Sequence, residues 1–486
     1  MIKRKKIIFS LIILLILYGI FNIFVLGNNK FFGDLKNLIP KNQKIFIKKY
    51  LFPYKYISEL EKMIGLKQDE VNSRNVLLRQ LKSQLNEKDQ FLSELFENRG
   101  FEEFYEVKNS IIKLKNNEYK LKEFQQDYLK IKKHGDARSG SIYAEKVNEN
   151  IILLSADGKF QYFNITNLKN KKFDGTIINS NIKDIIKYDK FYQNSNYGVK
   201  DLFFYKNYLY FSYNREVKDE CFNTSILRAS LNYQNLIFEK FFFPEDCQLS
   251  SEEWFTPHSA GGRMAKYKDK IIFSNGEYLN RILAQDDQSI FGKILMLDPS
   301  KPGAFEIISK GHRNVQGLFV DDVNNVILST EHGPMGGDEV NLNQEIGKKV
   351  LNFGWPISSY GEHYGYTERI DSHEIYKIAP IYKSHSKYGF IEPIKYFVPS
   401  IGISEIVKLE ENDDEELFLF GALGKDPSEG DMSLHVIAID KNYKKLLTHD
   451  VTNIESRIRD IINLGDGNFL LSLETSSTLG FLSKLK

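Results

Sequence analysis

The chain has little cysteine: among 486 residues only Cys221 and Cys247 occur. No CxxC pair or cysteine–histidine cluster is present, so a cysteine-based zinc site is unsupported. The two thiols are either unrelated or joined in a disulfide, which would require an oxidising compartment. Net charge is also low, because 66 Lys and Arg residues nearly balance 64 Asp and Glu residues to give +2. This balance gives no support for a nucleic-acid partner.

Long hydrophobic runs are scarce as well, apart from the uncharged stretch Ile7 to Leu26, which follows the basic residues 1–6. Twenty helical residues span about 30 Å, the thickness of a bilayer's hydrocarbon core. We therefore predict a transmembrane anchor at residues 7–26 and a juxtamembrane linker at 27–54. A cleaved signal peptide would have a shorter apolar core and a small-residue cleavage site. Lysines on both flanks give equal counts, so charge does not orient the segment.

Residues 55–138 are rich in Lys, Glu, Gln and Leu and predict a helical stalk. Apolar side chains recur every seven residues at Ile64, Val71, Leu78, Leu85 and Leu92. This spacing is typical of a coiled coil, which would make the protein a homo-oligomer through its stalk. A single amphipathic helix packed on the following domain explains the pattern equally well, because charged residues interrupt the second apolar row. We predict a second helical run at residues 101–133.

From residue 139 to residue 486, short apolar and aromatic runs alternate with turns rich in Asp, Asn and Gly. Examples are KYKDKIIFSNG, GLFVDDVNNVILSTE and IINLGDGNFLLSLE. Each predicts a strand, a tight turn and a second strand. Because no helices alternate with these hairpins and the region is too long for an ordinary sandwich, we predict an all-β domain that is a β-propeller.

Two loops of this region combine glycine with side chains suited to catalysis. TPHSAGGRM contains His258, and histidine is the usual general base near neutral pH. SKGHRNVQGL contains Arg313 and Asn314, and arginine offers a planar set of donors to a developing oxyanion. A lone histidine in a glycine-rich loop is more often structural. The second loop is also compatible with a surface turn of paired polar residues.

The segment STEHGPMGGDEVN suggests cation ligands. Gly333 and Pro334 impose an irregular backbone, and Asp338 and Glu339 follow them. Hard cations such as calcium bind backbone carbonyl and carboxylate oxygens. The spacing is not that of an EF-hand, so by itself it is weak evidence for a metal.

The segment SRIRDIINLG contains two arginines, Arg457 and Arg459. Residues two apart on a strand point to the same face, and a pair of guanidinium groups there would bind a polycarboxylate ligand. The alternative is that one arginine pairs with Asp460 while the other is solvated.

Six motifs in order resemble the glucose/sorbosone dehydrogenase family, whose members use pyrroloquinoline quinone (PQQ). They are H-x-x-G-G-R, G-K-I-L-x-x-D, G-H-R-N-x-Q-G, E-x-G-P-x-x-x-D-E-x-N, N-x-G-W-P and R-x-R-D followed by a D-G hairpin. In this chain they occupy residues 258–263, 292–298, 311–317, 331–341, 352–356 and 457–460. One such motif would be weak evidence, whereas six in order are specific.

The resemblance implies a six-bladed β-propeller that oxidises the anomeric hydroxyl of an aldose sugar by hydride transfer to PQQ. It implies that His258 removes the hydroxyl proton and that Arg313 polarises the quinone oxygen. The cofactor contacts that it implies are Asn314, Arg457, Arg459 and Lys425. The calcium ligands that it implies are the carbonyl oxygens of Gly333 and Pro334, with Glu339 binding a second, structural calcium.

The sequence departs from the family pattern at three places. Many members have glutamine where His332 stands, and a glutamine expected before G-L-L is missing from the nearest match, SNYGVKD. A lysine expected directly after a strand is displaced by one, because Gly424 takes its place and Lys425 follows. These departures leave a second function open: a non-catalytic propeller that binds carbohydrate or a partner protein at the cell surface.

The resemblance also bears on location. Such dehydrogenases work in the periplasm, which implies a cytoplasmic N-terminus, a single membrane span and a propeller outside. An exported propeller would in turn favour a disulfide between Cys221 and Cys247. Substrate, electron acceptor and oligomeric state do not follow from the sequence.

Overall fold

The computed structural model describes residues 53–97, 100–126, 141–155, 158–186, 198–252, 255–411, 414–424 and 431–485. The chain divides into two units, Met1–Asn98 and Arg99–Lys486. The predicted basic tail, the anchor at 7–26 and nearly all of the linker lie outside the described residues. Within the described ranges, no helix combines the length and the apolar character needed to cross a membrane.

The described part of the first unit is one long helix, α1 (Pro53–Glu97). This element agrees with the helical prediction for residues 55–97. Ile64, Val71 and Leu78 of the seven-residue row are 63%, 47% and 54% exposed. The pairing of two such helices through this row stays a prediction.

The helical prediction for residues 101–133 is wrong over 101–125, while residues 127–133 lie outside the described ranges. Two antiparallel strands, β1 (Phe101–Leu114) and β2 (Asn117–Gln125), begin the second unit. The lysines and glutamates of this segment suggested a helix, but buried and solvent-facing side chains alternate along β2 with the period of a strand. The all-β unit therefore begins near residue 99 rather than at residue 139.

Three blades of antiparallel strands follow. Blade 1 contains β3 (Ile142–Val147), β4 (Asn150–Ser155), β5 (Phe160–Asn164) and β6 (Lys172–Ser180). Blade 2 contains β7 (Val199–Tyr205), β8 (Tyr208–Lys218), β9 (Cys221–Ser230) and β11 (Glu239–Phe242). Two short strands add to these sheets: β10 (Asn235–Leu236) pairs with β6, and β12 (Gln248–Leu249) pairs with β9. Blade 3 contains β13 (Gly261–Tyr267), β14 (Lys270–Asn275), β15 (Lys293–Leu297) and β16 (Phe305–Lys310).

The remaining blades have the same order. Blade 4 contains β17 (Val315–Asp321), β18 (Val326–Glu331), β19 (Asp338–Asn343) and β21 (Lys395–Phe397), and β20 (Leu351–Asn352) pairs with β16. Blade 5 contains β22 (Ile403–Glu411), β23 (Glu415–Ala422), β24 (Ser433–Asp440) and β25 (Leu446–Asn453). Blade 6 contains β26 (Ile458–Gly465), β27 (Asn468–Leu473) and β28 (Thr478–Lys484), with β2 as its fourth strand. Short helices lie between strands: α2 (Ile182–Ile185), α3 (Glu374–Ile378) and 3₁₀ turns at Ile165–Lys169, Arg281–Ala284 and Ser386–Tyr388.

The six blades form a closed ring. The first strands contact one another in the order β3, β7, β13, β17, β22 and β26, and β26 contacts β3 again. This arrangement is a six-bladed propeller whose first strands surround a central channel. The ring closes where β2, near the start of the unit, pairs with β28 at its end. Strand β1 also pairs with β6, so blades 6 and 1 share one sheet.

Apolar side chains fill the space between neighbouring blades. At the closure, Phe104 of β1 stacks on Phe173 of β6 with 4.8 Å between ring centroids, and Phe124 of β2 meets Phe173 edge-on at 5.2 Å. Phe104 and Phe124 are 1% and 0% exposed, and full burial of such a side chain stabilises by about 1.5–3 kcal/mol. The N-terminal strands are therefore an integral part of the propeller.

A disulfide joins Cys221 at the start of β9 to Cys247 just before β12. Of the two states that the sequence left open, the structure has the bonded one. The cysteines are 26 residues apart, and closing a loop of this size stabilises by about 3 kcal/mol in the chain-entropy model.

Candidate functional site

One guanidinium group in the central channel connects carboxylates from three blades. Nη1 of Arg263, on β13, lies 2.9 Å from Asp201 Oδ1, 2.9 Å from Asp460 Oδ1 and 3.0 Å from Glu405 Oε2. These carboxylates belong to the first strands of blades 2, 6 and 5. Arg263 is 4% exposed, so four charged groups meet away from solvent. We call this cluster the channel hub.

The other two blades reach the channel hub through different groups. Nε of Arg263 donates to the main-chain oxygen of Gln316 in blade 4 at 2.8 Å. The guanidinium group also lies over the ring of Tyr143 in blade 1, 5.4 Å from its centroid. Because the first strands of all six blades meet there, Arg263 fixes the blades around the channel.

Two carboxyl groups of the channel hub, those of Asp201 and Glu405, have raised pKa values. Burial raises the pKa of Asp201 to about 7, although the charge of Arg263 opposes the rise. Burial likewise raises the pKa of Glu405 to about 8, with Arg263 opposing and the charge of Asp460 adding to the rise. One arginine thus does not compensate three ionised carboxylates.

The channel hub makes stability dependent on pH. A carboxyl group whose pKa is higher in the folded than in the unfolded state binds its proton more tightly in the folded state. Its contribution to the free energy of unfolding is therefore complete below about pH 4 and is lost as the pH rises through 7–8. Replacing Glu405 with glutamine removes one titrating group. We expect the thermal midpoint of Glu405→Gln, relative to that of the unmodified protein, to rise between pH 5 and pH 9. A relative midpoint that stays constant or falls would exclude a proton-rich hub.

Asn314 joins the two loops predicted to carry catalytic residues. Its Nδ2 donates to the main-chain oxygen of His258 at 3.0 Å, and its Oδ1 accepts from the main-chain N–H of Gly261, also at 3.0 Å. Asn314 is buried, whereas the side chain of His258 is exposed. The structure therefore brings His258 and Asn314 together at the mouth of the channel and leaves the imidazole accessible to a solute.

Arg313 is held beside this pair by its neighbours. Its main-chain N–H donates to the carboxylate of Glu331, and its Nη1 donates to the main-chain oxygen of His332 at 3.1 Å. Its guanidinium group lies 5.6 Å from the centroid of Trp355. Nε of Arg313 is buried and has no hydrogen-bond partner among the described residues. This arginine therefore keeps a donor available at the mouth.

Glu277 is a site residue that sequence analysis missed. Its main-chain N–H donates to the main-chain oxygen of Arg313 at 3.1 Å, and the next residue, Tyr278, pairs with Ser259 beside His258. Burial raises the pKa of Glu277 to about 7, although the charges of Arg313 and Arg281 oppose the rise. The only sequence signal is an acidic residue in the turn after the buried strand KIIFSNGE, and such turns are common.

Arg457 lies just before β26 and Arg459 lies within it, and both contact a carboxylate of the chain itself. Glu474 Oε2 accepts from Arg457 Nε at 2.8 Å, and Glu474 Oε1 accepts from Arg459 Nη2 at 2.9 Å. Burial alone would raise the pKa of Glu474, but Arg459 and Arg457 lower it to about 2. The alternative of one arginine paired with Asp460 is wrong, because Asp460 belongs to the channel hub. Glu474 thus occupies part of the predicted carboxylate site.

Lys425 lies outside the described residues. Its neighbour Gly424 has no room for a side chain, since an added Cβ would lie 1.8 Å from the Asp431 carboxylate carbon. The main-chain oxygen of Gly424 accepts from Arg457 Nη1 at 3.3 Å. The strand end that precedes Lys425 therefore reaches the arginine pair.

Two of the predicted calcium ligands, the carbonyl oxygen of Pro334 and the carboxylate of Glu339, contact other groups of the chain. The main-chain oxygen of Pro334 accepts from Ser400 Oγ at 3.3 Å, and Gly333 donates its N–H to Asp338 Oδ1 at 2.9 Å. Glu339 contacts His385 Nε2 at 3.2 Å and Asn341 Nδ2 at 3.1 Å. Across the described ranges, no group of three or more His, Cys, Asp or Glu side chains could hold a metal ion. Glu339 is thus not grouped with further side-chain ligands.

Comparison with known proteins agrees with this architecture. The model of the glucose/sorbosone dehydrogenase family matches residues 177–480. The aldose sugar dehydrogenase YliI of Escherichia coli is 29% identical over 242 residues, which are 46% of this chain and 59% of that protein. An uncharacterized protein of Synechocystis is 28% identical over 209 residues, 40% of this chain and 45% of that protein. The chain thus spans about half the length of these relatives.

The fold of the chain is similar to those of solved structures. A crystal structure of a glucose dehydrogenase superposes with a TM-score of 0.54 at 20% identity, covering 73% of this chain and 99% of that chain. The soluble aldose sugar dehydrogenase of Escherichia coli in its apo form superposes with a TM-score of 0.53 at 20% identity, covering 71% and 95%. These likenesses show that the chain shares its fold with both structures. Because the family model matches more than half of the sequence, the chain belongs to the glucose/sorbosone dehydrogenase family.

Proposed function

We propose that the protein is a quinone-dependent dehydrogenase that oxidises the anomeric hydroxyl of an aldose sugar or a related alcohol. The observation that carries this proposal is the position of Asn314, which joins the loop of an exposed histidine, His258, to an arginine with an unpaired buried donor, Arg313. A base that solutes can reach, beside a fixed cation, suits removal of a proton together with stabilisation of developing negative charge.

The two residues have separate roles in this proposal. His258 accepts the proton of the sugar hydroxyl at an imidazole nitrogen. Arg313 stabilises negative charge that develops at the mouth, and its contacts with Glu331 and His332 fix its orientation before the reaction. Fixed donors stabilise a transition state without reorganisation at the moment of reaction.

The side chains at the mouth fit an anionic cofactor. Arg313, Arg457 and Arg459 are cations, whereas Glu474 compensates only part of their charge. We propose that Asn314, Arg457, Arg459 and Lys425 hold PQQ, which supplies the two-electron acceptor when bound. Calcium would bind the carbonyl oxygens of Gly333 and Pro334, and Glu339 would bind a second calcium.

The decisive experiment is a titration of the purified full-length protein with PQQ, with and without calcium, followed by absorbance. We expect a saturable spectral change, and dye-linked oxidation of aldoses only after PQQ and calcium have been added. Absence of binding, or binding without turnover across a broad panel of sugars, would contradict the proposed activity.

One observation favours a second function, a non-catalytic propeller that binds carbohydrate or a partner protein. Glu474 already contacts both Arg457 and Arg459, and an internal carboxylate competes with a cofactor carboxylate for the same donors. This function requires that sugar or partner binding is independent of PQQ. A tight PQQ complex in the titration would exclude it.

We further propose that residues 7–26 anchor the protein in a membrane, with a cytoplasmic N-terminus and the propeller in the periplasm. The uncharged run and the disulfide between Cys221 and Cys247 support this placement, since disulfides persist in oxidising compartments. We also propose that the stalk joins copies of the chain. Extraction from membranes by alkaline carbonate would contradict the anchor, and a monomeric mass in detergent would contradict assembly through the stalk.

A further inference from the structure

A lysine that the proposed function does not use lies beside the candidate base. Nζ of Lys200 donates to the main-chain oxygen of Pro257, the residue before His258, at 2.9 Å. A Cβ added to Gly262 would lie 2.3 Å from Lys200 Cβ, so glycine at this position leaves space for the lysine. The ammonium group is therefore fixed at the channel mouth beside the loop of His258.

A β-bulge contributes to the position of this lysine. The pairing of β7 with β8 shifts register between Val199 and Asp201, so Lys200 is the extra residue of the bulge. Bulges redirect side chains and occur next to functional sites. Asp201 can consequently point into the channel hub while the side chain of Lys200 lies at the channel mouth.

Within the described ranges, no carboxylate compensates the charge of Lys200. Its ammonium contacts a neutral carbonyl group, and no acidic side chain in the described part of the chain forms an ion pair with it. Burial and then the positive charge of Arg459 lower the pKa of Lys200 to about 7. A partly buried cation without a counter-ion destabilises the folded protein, and such groups concentrate at functional sites.

Lys200 and Arg459 lie at the same level of the channel. Their sequence neighbours, Asp201 and Asp460, both contact Arg263 Nη1 at 2.9 Å. The lysine comes from blade 2 and the arginine from blade 6. Glu474 balances one charge of the arginine pair, which leaves an excess of positive charge between these blades.

We propose that Lys200 and Arg459 together bind a carboxylate of a multiply charged anionic ligand, which in the proposed dehydrogenase is PQQ. This inference rests on the proposed function and names a cofactor contact for it. In this sequence Lys425 is displaced by one from the position expected for a cofactor-binding lysine. Lys200 supplies a second lysine for the cofactor. The ligand carboxylate provides the counter-ion that Lys200 lacks among the described residues.

The test compares full-length protein with the variant Lys200→Met, using PQQ in the presence of calcium and absorbance as the readout. A hydrogen bond to a charged group contributes about 1.5–3 kcal/mol, so we expect PQQ to bind Lys200→Met about 10- to 100-fold more weakly. The trimethyl ester of PQQ lacks the carboxylate charges, so it should bind the two proteins with similar affinity. The matched control is Lys218→Met, which removes an exposed lysine of the same blade and should leave PQQ affinity unchanged.

Thermal unfolding of the cofactor-free proteins separates a binding role from a structural one. Because Lys200→Met removes an uncompensated charge, its midpoint should equal or exceed that of the unmodified protein. Equal PQQ affinities, or a midpoint lowered by several degrees, would overturn the assignment of Lys200 while leaving the proposed function intact. Failure of the unmodified protein to bind PQQ would overturn the proposed function, and the inference with it.

Discussion

Replacing Arg263 with methionine is expected to lower the free energy of unfolding by about 3–5 kcal/mol, as removal of one partner of a buried ion pair does. The substitution leaves Asp201, Asp460 and Glu405 around a site with no cation. It also removes the hydrogen bond to the main-chain oxygen of Gln316. Unfolding in urea, followed by circular dichroism, measures the loss.

The size of this loss should depend on pH. At pH 5 the carboxyl groups with raised pKa values, Asp201 and Glu405, are largely protonated in the folded protein, so fewer charges remain unbalanced. At pH 8 more of them are ionised, and the variant should lose more stability. Such a dependence would tie the effect to charge rather than to lost packing.

The matched control is Lys266→Met on the same strand. Lys266 pairs with Asp322 at 2.9 Å, but its side chain is 53% exposed, and exposed ion pairs contribute about 0–1 kcal/mol. If Arg263→Met costs no more than Lys266→Met, the channel hub does not hold the ring together.

The residues at the mouth that sequence analysis identified belong to contiguous motifs. His258, Arg313 and Asn314 lie in glycine-containing loops that precede first strands, and the ring brings such loops to one mouth. Their proximity therefore follows from the propeller prediction. Their individual contacts, such as Asn314 with the main chain of His258, depend on loop geometry that no spacing rule provides.

Residues that act across blades were not predictable in this way. The channel hub joins Asp201, Arg263, Glu405 and Asp460, which are separated by up to 259 positions in the sequence. Each looks like an ordinary polar residue near the start of a strand. Their shared site depends on ring closure, which in turn depends on β2, a segment whose composition indicated a helix.

Glu474 is an intermediate case. The hairpin of β26 and β27 turns at Asp466 and Gly467, and its pairing brings the N–H of Glu474 to the main-chain oxygen of Arg457 at 2.8 Å. Counting residues outward from the turn along both strands could have suggested that Glu474 lies opposite Arg457. Two register shifts along the hairpin, however, change which side chains share a face.

Replacing His258 with alanine is expected to lower kcat of the PQQ-loaded protein by about 10²–10⁴-fold, the usual contribution of a positioned general base. The loop itself should persist, because Asn314 and Gly261 hold it through main-chain groups that alanine retains. PQQ affinity, measured by absorbance, and the thermal midpoint should therefore change little. Initial rates with a saturating aldose and a dye acceptor measure the effect.

Chemical rescue distinguishes a missing base from a disturbed structure. Because His258 is exposed at the mouth, added imidazole can enter the space left by His258→Ala and accept the hydroxyl proton. We expect imidazole to restore part of the rate in this variant and to leave the unmodified protein unaffected. His449→Ala, on the outermost strand of blade 5, is the control and should keep full activity without rescue. A His258→Ala variant with undiminished turnover would show that another group removes the proton. Glu277 would then be the next residue to replace, because it adjoins the same loop and burial raises its pKa to about 7.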